Sequence, residues 1–126
     1  ILGILTAVAI PSYTNYVMRA DRAEAQRVLE EANQRIATFF SVNMTYQGIT
    51  AAPASAPGLN IYEPNGAFLE SYTLAINITN NSFSYTLTAT PLAGTKQEND
   101  SCGILSIDQD GVHLATRSGS PVANCW

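Results

Sequence analysis

The hydrophobic pattern changes period along this chain. Residues 1–11, ILGILTAVAIP, are apolar almost throughout, and no charge occurs before Arg19. Ile1, Leu2, Ile4, Leu5, Val8 and Ile10 cover every side of a helix, and a helix apolar all round is buried in a membrane or in a bundle. From Tyr13 to about Val42 the pattern becomes one-sided. Ala25, Val28, Ala32, Ile36, Phe39 and Phe40 recur at spacings of three and four, opposite Arg22, Gln26, Arg27, Glu30, Asn33 and Gln34. No Pro or Gly interrupts residues 12–47. The two stretches together read as one helix of about 40 residues, near 60 Å long. Pro11 lacks a donor and clashes with the preceding turn, so it is expected to kink or loosen this helix, with Gly3 as a second weak point. Glu31 and Arg35 stand at i,i+4 and are expected to pair.

After a Pro-, Ala- and Ser-rich connection over residues 48–66, with a short helix or strand near Leu59–Tyr62, the period becomes two. Tyr72, Leu74, Ile76 and Ile78 alternate with Thr73, Ala75, Asn77 and Thr79. Asn80-Asn81-Ser82 supplies a turn, and Phe83, Tyr85, Leu87 and Ala89 then alternate with Ser84, Thr86, Thr88 and Thr90, which is a hairpin signal. A polar loop over 92–101 leads to a third strand at Gly103–Ile107. Asp108-Gln109-Asp110-Gly111 makes a turn before a fourth strand at Val112–Ala115, and residues 116–126 read as turns. The predicted fold class is α+β: a long N-terminal α-helix packed on a four-stranded antiparallel sheet, with Ile36, Phe39 and Phe40 helping to cover one face. Residues 1–19 are expected to form a hydrophobic stem and residues 20–126 the head.

Length constrains what the stem can do. Residues 1–11 would span about 16 Å as helix, against a bilayer core of about 30 Å. A span ending at Val17 is therefore marginal. The chain starts without Met inside an apolar run, so further residues are expected to precede Ile1. A secretory h-region would be followed by a small-residue cleavage site, whereas here a charged helix continues. A buried core helix is the other alternative for a run this short.

Charge and cysteine content narrow the function. The net charge is −4. The helix balances Arg19, Arg22, Arg27 and Arg35 against Asp21, Glu24, Glu30 and Glu31. The rest holds Lys96 and Arg117 against Glu63, Glu70, Glu98, Asp100, Asp108 and Asp110. An acidic head is a poor ligand for phosphate backbones. The two cysteines, Cys102 and Cys125, favour one disulfide and an oxidising compartment, with two free thiols as the alternative. A single histidine and the lack of a CxxC argue against zinc.

No catalytic set emerges. His113 alternates with Val112 and Leu114 and is expected at a solvent-facing strand position rather than as a general base. The Asp108–Gly111 segment resembles the start of an EF-hand loop but lacks its later ligands, so a hairpin turn is the better reading. Four Asn-X-Ser/Thr sequons begin at Asn43, Asn77, Asn80 and Asn99 and are read as chance in an Asn/Ser/Thr-rich chain. The hairpin's aromatics read as core and cross-strand pairs rather than as a base-stacking platform. No cofactor and no metal are expected.

GILTAVAIPSYTNYVMRADRAEA resembles the N-terminal helix of mature type IV pilins. YTLTATP, then CGILSI, a Gly-containing turn and the terminal CW are similar to the disulfide-bounded C-terminal region of Gram-negative type IV pilins, minor pilins among them. The resemblance covers most of the chain, but the segment from Gly48 to Leu69 matches nothing in it. It implies a non-enzymatic structural subunit of a type IV pilus, anchored in the inner membrane before assembly and extracellular afterwards. Its partners would be further copies of itself and other pilins in a helical filament. Ile1, Leu2, Ile4, Leu5, Val8 and Ile10 would pack in the filament core, where Gly3, Ala7, Ala9, Ala20, Ala23 and Ala25 let helices approach closely. The resemblance also implies that the Gly3–Pro11 stretch loses helix in the filament. The alternatives are a minor pilin whose head binds DNA or a surface receptor, and a type II secretion pseudopilin. The first would need clustered Lys/Arg on the head. The second is weakened by the cysteine pair and the terminal Trp, since related pseudopilins use a calcium site in this region.

Overall fold

The computed structural model describes residues 2–50, 59–64 and 66–126, with side chains described from residue 13 onward. A single helix, Leu2–Asn43 (α1), opens the chain and runs through both Gly3 and Pro11. A one-turn helix, Gly66–Leu69 (α2), precedes the strands Tyr72–Thr79 (β1), Ser84–Pro91 (β2), Ile104–Asp108 (β3), His113–Arg117 (β4) and Ser120–Pro121 (β5). They form one antiparallel meander in the order β1-β2-β3-β4-β5. The sheet therefore has five strands, not the expected four. The fifth is a two-residue strand pairing with Thr116 and Arg117, and its Ser-Pro sequence carries no strand period. A 3-10 turn at Lys96–Asn99 interrupts what reads as loop, and Leu59 and Tyr62 make an isolated bridge.

Alternation decides which sheet face meets the helix. Tyr85, Leu87 and Ala89 of β2 point inward, while Thr86, Thr88 and Thr90 point away. Register then aligns core rows across the sheet: Leu74, Ala89, Leu105 and Ala115 in one, Ile76, Leu87, Ile107 and His113 in the next. The α1 stripe of Ala25, Val28, Leu29, Ala32 and Ile36 is fully buried against these rows. Ala25 and Ala32 give the close approach, and Leu29 and Ile36 supply the apolar area. Phe39 and Phe40 are half-buried against the same cluster. Phe83, expected inside, is exposed because β2 begins only at Ser84.

His113 is exposed, as expected, and so are Val112 and Leu114. Its row position beyond Ile107 nevertheless puts it on the helix-facing side, at the edge of the sheet. Glu31 departs from its expected pairing. It accepts from Arg27 at 2.8 Å rather than pairing with Arg35, and the Arg35 guanidinium stands 5.9 Å from the Tyr62 ring centroid.

Candidate functional site

The helix leaves the sheet through a buried polar cluster, the neck. Arg22 Nε donates to Asp100 Oδ2 at 2.8 Å, and Arg22 Nη2 reaches Asp100 Oδ1, a fork on a carboxylate that is itself buried. The hydrogen bond to Asp100 raises the Arg22 pKa further. The 3-10 turn aims Gln97 under α1, where Nε2 donates to the Met18 carbonyl and to the Tyr72 hydroxyl, each at 2.9 Å. Gln97 Oε1 is buried without a partner among the described residues. Lys96 lies 3.7 Å from Asp21, and Ser71 Oγ donates to the same carboxylate at 3.4 Å. Arg117 Nη1 donates to the Asp100 carbonyl. These contacts fix the direction in which the N-terminal part of α1 departs. Beyond them Tyr13 and Tyr16 are exposed.

The tail is tied to the same helix. Cys102 and Cys125 are joined by a disulfide across a sequence separation of 23. Gln26 Nε2 donates to the Cys125 carbonyl. His113 Nε2 is 2.5 Å from Glu30 Oε1, and the Trp126 ring stacks on the imidazole at 4.1 Å between centroids. Trp126 Nε1 donates to the Leu114 carbonyl at 3.1 Å. Gly103 permits this closure. Its φ is +63°, and a Cβ there would stand 2.3 Å from the Thr116 carbonyl oxygen.

Open clefts are found among the described residues. One of about 450 Å³ lies between Arg27, Arg35, Tyr62 and Glu63. One of about 380 Å³ lies at the neck beside Asn15, Arg19 and Ser101. One of about 250 Å³ lies over Ile104 and Arg117. Among the described residues no three His, Cys, Asp or Glu side chains come together as metal ligands. Asp108 instead closes its own turn, with Oδ1 accepting from the N–H groups of Asp110 and Val112 at 2.9 and 3.0 Å.

Most cations of the chain are held in place. Arg22, Arg27 and Lys96 have carboxylate partners, Arg35 stands over Tyr62, and Arg117 bonds a carbonyl. Arg19 has no such partner among the described residues. The helix half of the head thus adds Arg22, Arg27 and Arg35 to the two basic residues counted from the sheet, but Arg22 and Arg27 are neutralised locally. Of the residues expected to pack in a filament core, Ile1 lies outside the described residues, and so do the side chains of Leu2, Ile4, Leu5, Val8 and Ile10. What the periodicity could not reveal is the neck itself. Arg22 and Asp100 are 78 positions apart, and no local spacing marks them.

Comparison with known proteins fits this architecture. The family described as "Type IV minor pilin ComP, DNA uptake sequence receptor" matches residues 11–106. A type IV pilin from Shewanella oneidensis shares the fold at a TM-score of 0.60 and 26% identity, over 86% of this chain and 97% of its own. The non-core minor pilin PilV of Neisseria meningitidis is similar in fold alone, with a TM-score of 0.58 and 14% identity over 83% of this chain and 95% of its own. No curated protein matches in sequence. Spanning most of the chain, the family match makes this protein a member of the ComP family of type IV minor pilins.

Proposed function

We propose that this chain is a structural subunit of a type IV pilus and enters the filament through the N-terminal part of α1. The observation that carries this reading is the mismatch between helix and sheet. Burial against the sheet begins in earnest at Ala25, yet the helix starts at Leu2, and Tyr13 and Tyr16 stand free of the head. An apolar helix extending past its own core needs an external partner. On this reading residues 1–19 are the stem, and Ile1, Leu2, Ile4, Leu5, Val8 and Ile10 pack against neighbouring stems. The Gly3–Pro11 stretch is the part that yields on packing. The subunit waits in the inner membrane and ends in the extracellular fibre. Among the described residues no helix is long and apolar enough to cross a membrane. The anchoring proposal therefore rests on the family and on the apolar run itself.

The test compares the full chain with one lacking residues 1–18, both produced in a piliated cell. The truncated head should keep its disulfide and helical signal but be missing from sheared pili, where the full chain is found. A truncated head that still enters fibres of normal diameter would overturn the reading.

A second reading is favoured by the matched family, whose description names a DNA uptake sequence receptor. The exposed Arg27 and Arg35 on one side of α1, with Tyr62 beneath Arg35, are the residues that would meet phosphate. Against it stand the acidic balance and the local pairing of Arg27. Duplex DNA binding no tighter than the nonspecific range, about 10⁻⁴–10⁻⁶ M at physiological salt, would leave the structural reading alone in place.

A further inference from the structure

The two ends of the head carry different unsatisfied surfaces. At the end far from the stem, α1 finishes beside the β1–β2 turn. Tyr46 N–H donates to the Ser82 carbonyl at 2.9 Å, and Thr45 Oγ1 reaches the same oxygen at 3.3 Å. Tyr46 packs edge-on against Tyr85 at 4.8 Å, and Tyr85 N–H donates to Gln109 Oε1 at 3.1 Å, bringing the β3–β4 turn into the same tip. Large apolar side chains stand in solvent here: Val42 is 77% exposed, Met44 67%, Phe83 56% and Val112 58%. Asp108 and Asp110 sit among them, and neither has a cationic partner among the described residues. The tip also holds the left-handed residues Met44, Asn80, Asn81 and Ser82, with φ between 54° and 70°. Such conformations cost free energy and collect at places that do something.

The neck is the complement. Tyr13 is 70% exposed and Tyr16 64%. Arg19 follows at the same spacing of three, so each side chain neighbours the next along the helix. Among the described residues Arg19 is also the one cation without a carboxylate, carbonyl or ring partner. An aromatic and cationic neck faces outward at one end, and an apolar and acidic tip at the other. Tyr16 and Val42 are separated by roughly 40 Å of helix axis.

We propose that the tip of one copy, through Val42, Met44, Phe83 and Asp110, docks on the neck of a second copy at Tyr13, Tyr16 and Arg19. The inference rests on the filament reading and gives it a contact between heads. The two patches differ and lie at opposite ends, so the contact is heterologous. Between copies of like orientation it repeats as a fibre requires, whereas two antiparallel copies would close on it as a dimer. The occupant is a second copy because opposite charges and apolar surface meet only when tip faces neck. Tip on tip sets Asp110 against Asp110, and neck on neck sets Arg19 against Arg19.

The experiment uses the full chain with Tyr16→Cys and Met44→Cys together, oxidised under conditions that leave the Cys102–Cys125 bond intact. Tip-to-neck docking gives a ladder of covalent dimers, trimers and higher species. An equal mixture of the two single-cysteine chains stops at the dimer. In the double-cysteine background, Arg19→Asp or Asp110→Arg alone should lower the ladder yield about five-fold, and the two together should restore it. Circular dichroism confirms that each variant is folded. Monomers only, a doubly bridged dimer with no higher species, equally strong dimers from either single-cysteine chain alone, or a ladder indifferent to charge reversal would each overturn the docking. If the wild-type chain is found in sheared pili and no ladder forms, the filament reading stands and the docking falls. A ladder from a chain that never enters pili has the converse meaning.

Discussion

Tyr72 and Tyr85 enter the core from one face of the sheet, and each places its hydroxyl against an amide side chain. The Tyr72 oxygen accepts from Gln97, while Tyr85 donates to Asn33 Oδ1. Burial raises both phenols, Tyr72 to about 12 and Tyr85 higher still, with Tyr46 and Asp108 adding to the shift at Tyr85. A folded-state pKa above the unfolded value near 10 means the native state holds its proton longer. The contribution of each phenol to stability is thus complete below about pH 10, and that of Tyr72 is lost as pH rises through about 12, that of Tyr85 higher still. Urea midpoints measured between pH 8 and 12 should be flat up to about pH 10 and fall beyond it. Tyr72→Phe should blunt the fall, and an unchanged slope would show that Tyr72 is ionised freely in the fold. Alternation alone places both tyrosines inside. It does not supply their partners. Asn33 reads as solvated helix surface until the sheet is laid on it, and Gln97 reads as loop.

α1 is legible almost whole because its period persists for many turns, so a misread position or two does not matter. Leu29, not among the residues expected on the stripe although it lies four positions after Ala25 and three before Ala32, is fully buried with them. Leu29→Ala should cost about 2–5 kcal/mol. A loss below ~1 kcal/mol in chemical unfolding would mean that helix and sheet meet more loosely than the buried stripe requires. Short elements are the ones that sequence pattern misses. β5 has two residues, and the 3-10 turn carries Gln97 to the Met18 carbonyl, a contact made only in the folded chain. Ion pairs follow the same rule. Helical spacing offers Glu31 both Arg27 and Arg35, and the choice is made by Tyr62, whose ring lies under Arg35 and whose hydroxyl is 3.3 Å from Glu31 Oε2.

On the scale of the molecule, the sheet and helix share one modest core, and the tail is held by a covalent bond. Cys102→Ser should destabilise the head by about 2–5 kcal/mol, read from urea unfolding of the oxidised protein and the variant. Equal midpoints would show that the Gln26 and Glu30 contacts hold the tail unaided. The fold class and the cysteine pair are legible from period and count. The neck and the tip are not, since both are assembled from segments tens of residues apart.

The disulfide also sets what the chain can release under tension. A pull applied along the stem loads the contacts of Arg22 with Asp100 and of Gln26 with Cys125 directly, and the covalent bond outlasts both. The residues between Cys102 and Cys125 cannot be drawn out while the bond stands, which withholds roughly 80 Å of contour length from any extension. A subunit built this way keeps β3, β4 and the tail tethered as a stop, whichever contacts yield before it.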